Sequence, residues 1–105
     1  MRINEVQFDD SRPVDGYGPG FFRVGGDRYE GPLVILPSGI QPWGGVEDLV
    51  TLTKAADEVD VLFIGMGAET APVPAALRQA LEAQNIGVEG MATPAACRTY
   101  NVLLS

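Results

Sequence analysis

Apolar residues in the first forty positions alternate over short distances and are interrupted by glycine and proline. This pattern is typical of short antiparallel strands. We predict strands at Arg2–Phe8, Phe21–Val24, Arg28–Tyr29 and Leu33–Leu36. Gly25-Gly26 predicts a tight hairpin turn, because glycine readily adopts the positive φ that short hairpin loops require. We interpret residues 11–20 as turns and Pro37-Ser38-Gly39 as the end of the last strand.

The period of the pattern changes in the second half of the chain. Val46, Leu49, Val50 and Thr53 share one face of a predicted helix. Residues 59–64 form a dense apolar run rich in β-branched side chains, which favours a strand buried on both faces. A helix over residues 73–84, a short strand over 85–89 and a last helix from Thr93-Pro94 follow. Threonine as N-cap and proline at the first helical position are a strong helix start.

These elements predict a single α/β domain over residues 1–105. Its N-terminal half is rich in antiparallel strands, and its C-terminal half has the strand–helix–strand–helix order of a parallel sheet. A length of 105 residues and a mass of 11.2 kDa fit one domain with one core.

Composition limits the chemistry available to this domain. The chain has no histidine and one cysteine. It therefore lacks a Ser-His-Asp triad, a Cys-His pair, an imidazole-ligated zinc site and an intrachain disulfide. We predict no catalytic residues, no metal and no cofactor.

The net charge of −7 bears on partners and compartment. An acidic domain repels phosphate backbones, so we expect no nucleic-acid binding.

The longest apolar stretch, residues 61–68, is too short to span a bilayer, and residues 1–10 resemble neither a signal peptide nor a transit peptide. We therefore expect a cytoplasmic protein without an integral membrane segment, whose oligomeric state the sequence leaves open. Adjacent acid pairs, including Glu47-Asp48, are interpreted as solvated surface.

A Gly-x-Gly motif, Gly65-Met66-Gly67, ends the buried strand and has two interpretations. A dinucleotide fold needs such glycines, a helix start for the pyrophosphate and an acid for the ribose, for which Glu89 is the candidate. However, Thr70 occupies the third glycine position, and prolines delay the next helix. A tight turn or close backbone packing is the simpler interpretation, and a small anionic ligand at this strand end is a further alternative.

Four other side chains are candidates for function. Cys97 lies inside the last predicted helix and is either a redox thiol or a small core residue. Trp43 lies in a loop and either covers the core or anchors a partner. Tyr100, with Asn101 beside it, either closes a pocket or hydrogen-bonds neighbouring loops.

The strongest pattern is Met91-x-Thr93-x-x-Ala96-Cys97-Arg98-Thr99-Tyr100-Asn101. Together with Gly16-Tyr17, Tyr29-Glu30-Gly31, Trp43 and the Gly-x-Gly motif, it resembles the Mth-type domain family of uncharacterised proteins. That family's eukaryotic members include a mitochondrial complex I assembly factor and an adipogenesis-associated protein. The resemblance covers nearly the whole chain.

The resemblance implies a three-layer β+β/α fold and a shared cleft. Its motif residues would meet around that cleft as a ligand-binding set: Gly65, Gly67, Met91, Thr93, Tyr100 and Asn101. Family members continue past the Tyr-Asn pair into a final strand, which we expect this chain to lack.

For function, the resemblance favours a non-enzymatic interaction protein acting on a respiratory-complex intermediate. Respiratory-complex subunits would be its partners, and Trp43 and the loop from Tyr17 to Phe22 its contact positions. The alternative is a small-molecule or anion-binding domain, possibly enzymatic, that uses the cleft near Gly65, Gly67 and Thr93.

Overall fold

The computed structural model describes residues 12–104, and its first half consists of five short antiparallel strands. They are β1 (Val14–Gly18), β2 (Phe21–Val24), β3 (Asp27–Glu30), β4 (Leu33–Leu36) and β5 (Gly39–Pro42). Strands β1, β2 and β3 form one sheet in that order, and β4 pairs with β5. The predicted strand at Arg2–Phe8 lies outside the described residues.

The Gly25-Gly26 hairpin and the end of β4 at Pro37-Ser38 are confirmed, whereas the interpretation of residues 11–20 as turns missed a strand. Both glycines have positive φ and join β2 to β3 in antiparallel register. Residues 11–20 contain β1, and a second strand that the sequence pattern did not predict, β5, begins at Gly39 directly after the turn. Both missed strands are rich in glycine or proline, so their extended form comes from pairing with β2 and β4, not from local propensity.

The second half has the predicted alternation of helices and strands. It contains α1 (Val50–Thr53), β6 (Val61–Gly65), α2 (Ala75–Glu82), β7 (Gly87–Met91) and α3 (Thr93–Leu104). Strands β6 and β7 are parallel, with Val61 opposite Gly87 and Gly65 opposite Met91. The α/β fold class is therefore confirmed, with antiparallel strands in the N-terminal half and a parallel pair with helices in the C-terminal half.

The first helix is much shorter than the sequence predicts. Val46 and Glu47 form a turn, and only Val50–Thr53 is helical. The Asp48 carboxylate accepts hydrogen bonds from the Val50 and Thr51 N–H groups, both at 3.1 Å, and so holds the start of α1. This side chain–backbone bonding favours a cap at the point where the apolar spacing predicts a continuous helix.

The described residues bury their apolar side chains in two clusters. The larger cluster joins β4, α1, β6, α2 and β7, and includes Leu77, Leu81 and Ile86, each at most 1% exposed. The smaller cluster contains Val14, Val24 and Cys97 and connects the β1–β3 sheet with α3. Within residues 12–104, no helix combines the length and the apolar character needed to cross a bilayer.

Candidate functional site

The Gly-x-Gly motif forms the turn that follows β6 and lies against the start of α3. The Met66 N–H donates to the Met91 carbonyl oxygen at 2.7 Å, which continues the β6–β7 ladder by one bond. Gly67 then adopts a φ of +107°, which side chains other than glycine rarely tolerate. Glycine at this position therefore allows the bend that ends β6.

Gly67 and Thr93 are joined by two reciprocal hydrogen bonds. The Thr93 N–H donates to the Gly67 carbonyl oxygen at 2.7 Å, and the Gly67 N–H donates to Thr93 Oγ1 at 2.9 Å. A Cβ on Gly65 would lie 2.9 Å from the Cα and from the Oγ1 of Thr93. The glycines thus allow close packing of the β6 turn on the first residue of α3.

A dinucleotide site would need a helix start directly after this turn. Helix α2 begins only at Ala75, after an extended segment that contains Pro72 and Pro74. Glu89, the candidate ribose acid, is exposed in the middle of β7, opposite Phe63. The arrangement matches the close-packing interpretation of the motif.

The Tyr100 and Asn101 side chains fasten the start of β1 to α3. The Asn101 amide accepts from the Val14 N–H and donates to the Val14 carbonyl oxygen, both at 2.9 Å. The Tyr100 hydroxyl donates to the Arg12 carbonyl oxygen at 2.6 Å, and burial raises the pKa of Tyr100. Together these two side chains hydrogen-bond the backbone at the start of β1, as a neighbouring strand would do.

The six motif residues form two groups, one at each end of α3. Gly65, Gly67, Met91 and Thr93 meet at its N-terminal end, and Tyr100 and Asn101 lie near its C-terminal end. Their polar groups hydrogen-bond within the chain. Whether they also bind a ligand stays a prediction.

An apolar cavity of about 230 Å³ lies between β4, β6 and α3. Of the motif residues, it is lined by Gly65, Thr93 and Tyr100. Trp43 is half-buried, lines the same cavity and packs against the larger cluster, and its indole N–H donates to the Asp48 carbonyl oxygen at 3.3 Å. Trp43 therefore covers the core, and its role as a partner contact stays a prediction.

Cys97 also faces this cavity and is 8% exposed. Burial raises the pKa of its thiol, and the neighbouring Arg98 lowers it by less. A raised pKa disfavours the nucleophilic thiolate. Residues 12–104 contain no cluster of acidic or cysteine side chains that could hold a metal ion.

Two residues with structural importance were not singled out by the sequence pattern. Arg12 donates to Asp27 at 2.8 Å and to the Tyr29 hydroxyl at 2.7 Å, joining the start of β1 to β3. Asp48 accepts four hydrogen bonds around α1, the shortest from the Thr51 hydroxyl at 2.6 Å. Asp48 stays partly exposed, in keeping with the surface interpretation of the acid pairs. Its additional role as a cap was signalled only by the preference of aspartate for helix starts.

Comparison with known proteins gives a family and several relatives. A family model described as "Protein of unknown function (DUF498/DUF598)" matches residues 14–105. An uncharacterised protein of Rhodobacter capsulatus is 46% identical over the whole chain, which spans 85% of that relative. The NADH dehydrogenase [ubiquinone] 1 alpha subcomplex assembly factor 3 of Danio rerio is 33% identical over 88% of the chain. The chain spans 57% of the length of that factor.

Solved structures support the same fold. A protein described as an outer membrane protein from Bartonella henselae has a TM-score of 0.79 at 37% identity, covering 90% of this chain and 85% of its own. A Bordetella pertussis protein described as a Mth938-like domain has a TM-score of 0.70 at 25% identity, covering 89% and 78%. The predicted resemblance to the Mth-type family is confirmed.

Proposed function

This chain belongs to the DUF498/DUF598 family, and we propose that it is a non-enzymatic binding factor for an assembly intermediate of a respiratory complex of the complex I type. The observation that carries the proposal is the 33% identity with the Danio rerio assembly factor across 88% of the chain. The aligned region includes most of the described domain, so the likeness extends well beyond one short motif.

The chemistry of the described residues supports binding rather than catalysis. The hydroxyl of Thr93, the hydroxyl of Tyr100 and the amide of Asn101 all hydrogen-bond to this chain's own backbone. Cys97 is buried, and burial raises its thiol pKa. A general acid or base must reach a substrate to transfer a proton. These side chains are instead used to hold β1 and the β6 turn against α3.

The hairpin between β1 and β2 offers a contact surface for a protein partner. Tyr17 is 46% exposed and lies opposite Phe22 in the ladder. Tyrosine is enriched in interface hot spots, because its ring provides a large contact area with a polar tip. We include this hairpin and the half-buried Trp43 in the proposed contact positions.

Gene deletion in the native organism tests the proposal. We expect less mature complex I on native gels and an accumulated subcomplex, with restoration by the wild-type gene. A Tyr17→Ala gene should restore assembly poorly, whereas Val102→Ala should restore it fully, because Val102 is exposed on α3. Unchanged complex I in the deletion strain would contradict the proposal.

The alternative function, a small-molecule or anion-binding domain at Gly65, Gly67 and Thr93, stays a prediction. Helix N-termini bind anions through free N–H groups. At α3, the Thr93 N–H already donates to Gly67, the Ala96 N–H donates to Ala92, and Pro94 has no N–H. We therefore expect no thermal shift with nucleotides, phosphosugars or carboxylates, and a clear shift would favour the alternative.

A further inference from the structure

The β1–β3 sheet has one face packed on α3 and one face directed away from it. The packed face carries the side chains of the smaller apolar cluster and its neighbours, Val14, Val24, Phe22 and Tyr29. Because successive residues of a strand point to opposite faces, the residues that alternate with these point the other way. On β2 and β3 those residues are Phe21, Arg23, Arg28 and Glu30. We call this second face the arginine face.

Two arginines that are separated in the sequence lie directly opposite each other on this face. The β2–β3 ladder pairs Arg23 with Arg28, and both side chains are exposed. Directly opposite residues have Cβ atoms about 4.5–5.5 Å apart, and like charges at this distance destabilise a sheet. Arg28 pairs with Glu30, whereas Arg23 has no ion pair and no side-chain hydrogen bond with the rest of residues 12–104. The fold therefore leaves one of two adjacent cations without a counter-charge.

An apolar ring lies beside the two arginines. Phe21 packs with neither apolar cluster of the described residues, and the guanidinium carbon of Arg28 lies 4.0 Å from its ring centroid. On β1, glycine lies opposite each of the two β2 residues of this face, at Gly18 and Gly16. A Cβ on Gly16 would have nothing within 4 Å, so the space beside Arg23 is open. Exposed arginine next to an aromatic ring is typical of protein contact surfaces.

The chemistry of this face matches a carboxylate that lies next to an apolar side chain. Arginine donates paired hydrogen bonds to a planar carboxylate, and a carboxylate between Arg23 and Arg28 would offset their mutual repulsion. The ion pair between Arg28 and Glu30 is exposed at both side chains, and exposed ion pairs are weak, so a partner's carboxylate can replace it. A phosphate backbone matches less well, because the chain has a net charge of −7 and Glu30 borders the face.

The size of the face favours a short segment over a second copy of the chain. Three strands about 4.8 Å apart and about four residues long give a face of about 14 by 14 Å, or about 200 Å². A stable dimer of standard size buries about 800 Å² on each partner. Two copies with a net charge of −7 each would also repel one another.

We propose that the arginine face binds a short segment of a partner polypeptide in which an acidic side chain lies beside an apolar one. The carboxylate lies between Arg23 and Arg28, and the apolar side chain contacts Phe21. The proposal rests on the proposed function, because it names the chemistry of the partner segment. It concerns a different surface from the Tyr17 contact, since Tyr17 lies opposite Phe22 and therefore on the packed face.

A synthetic peptide tests the proposal. Acetyl-Gly-Phe-Glu-Leu-Glu-Gly-amide is titrated into the purified full chain in about 0.1 M salt, where exposed charges more than about 10 Å apart are screened. Backbone amide and arginine Nε–H signals are followed by NMR. We expect saturable changes that are largest on β2 and β3. The same peptide with glutamine in place of both glutamates should bind at least about tenfold weaker, because it cannot form charge-assisted hydrogen bonds.

Charge-matched variants separate the arginine face from the net charge of the chain. Arg23→Gln and Arg98→Gln each remove one positive charge from an exposed side chain, but Arg98 lies on α3. We expect Arg23→Gln to weaken binding of the peptide at least about tenfold, and Arg98→Gln to weaken it less than about twofold.

Thermal unfolding of the same variants separates a binding residue from a structural one. Because Arg23→Gln removes a like-charge pair, its melting temperature should equal or exceed that of the wild-type chain. A lowered melting temperature would make Arg23 a structural residue and contradict the proposal.

Three results of the titrations would overturn the proposal. Equal binding of the glutamate and glutamine peptides would mean that the carboxylate is not recognised. Absent binding, or changes confined to other parts of the chain, would mean that the arginine face is not a docking surface for such a segment. Tighter binding of an oligothymidylate or of phosphatidylglycerol vesicles at the same residues would assign the face to a phosphate-bearing partner. Because the assay contains no respiratory complex, its failure is separate from a failure of the assembly proposal, which the deletion strain reports.

Discussion

At the residue scale, Asp48 shows how one carboxylate can hold a short element in place. Its two oxygens accept hydrogen bonds from the Thr51 hydroxyl and from the N–H groups of Gly44, Val50 and Thr51. These bonds, with that from the Thr51 hydroxyl the largest influence, lower the pKa of Asp48 from 3.8 to about 2. A helix of four residues is not stable on its own. The Asp48 carboxylate therefore fixes both α1 and the loop that carries Trp43.

The lowered pKa of Asp48 predicts a pH-dependent stability. The folded chain binds this proton less readily than the unfolded chain, so the stabilisation is fully present above pH 3.8 and is lost as pH falls towards about 2. We expect Asp48→Asn to lower the melting temperature at neutral pH and the difference to shrink in acid. Glu47→Gln, an exposed neighbour, is the control. A difference that is constant with pH would contradict the assignment.

Cys97 is expected to behave as a core residue rather than as a redox thiol. It is 8% exposed and packs with Val14 and Val24, and burial raises its thiol pKa. Because the thiolate is the reacting species, we expect native Cys97 to react with iodoacetamide at least about ten times more slowly than free cysteine at neutral pH. Mass spectrometry before and after denaturation measures this. Rapid labelling of the native protein would support the redox alternative.

At the element scale, the junction between β6 and α3 depends on the absence of a side chain at Gly65. Its Cβ would lie 2.9 Å from the backbone Cα of Thr93, so α3 would have to move. We expect Gly65→Ala to cost about 1–3 kcal/mol of unfolding free energy, as overpacking does. Gly16→Ala is the matched control, because nothing lies within 4 Å of its added Cβ. Equal stability of the two variants in denaturant unfolding would contradict this view.

Helix α3 is also expected to determine the stability of β1. Asn101→Ala removes both hydrogen bonds to Val14 and leaves two backbone groups without their partners, a loss of about 1–3 kcal/mol. Arg98→Ala, an exposed change on the same helix, should alter stability by less than about 0.5 kcal/mol. Urea unfolding compares the two variants. A negligible effect of Asn101→Ala would show that the amide does not hold β1.

Elements with a strong local pattern could be predicted from the sequence, and elements that depend on distant partners could not. The β-branched run of β6 and the Gly25-Gly26 turn are set by local packing and backbone conformation, and both were predicted. Strand β1 is extended because it pairs with β2, and its start is fixed by Asn101, 87 residues away. The same reason limits the site. The motif residues could be singled out from the sequence, and their role as a binding set stays a prediction. Their separation into two groups could not be predicted, because it depends on the length and placement of α3.

At the scale of the whole molecule, the described residues divide into two parts of unequal packing. The larger cluster contains eleven buried residues, and the smaller one contains Val14, Val24 and Cys97. Strand β4 belongs to both, because Val34 and Leu36 face the larger cluster while Leu33 and Ile35 pack against the smaller. The β1–β3 sheet is therefore joined to the rest mainly through α3 and one face of β4.

This division predicts unequal local stability. Regions with few buried apolar contacts open at lower free energy than the global unfolding. We expect backbone amides of β1–β3 to exchange with solvent faster than those of β6 and β7. We also expect Asn101→Ala to accelerate exchange in β1–β3 more than in β6 and β7, because it releases β1 at Val14. Native-state hydrogen exchange by NMR measures both.

Uniform protection across the two parts, or equal acceleration in both by Asn101→Ala, would show that the domain opens as one unit. A β1–β3 sheet that opens alone would instead allow Tyr17 and its hairpin to adapt to a partner while the β4–β6 region stays ordered.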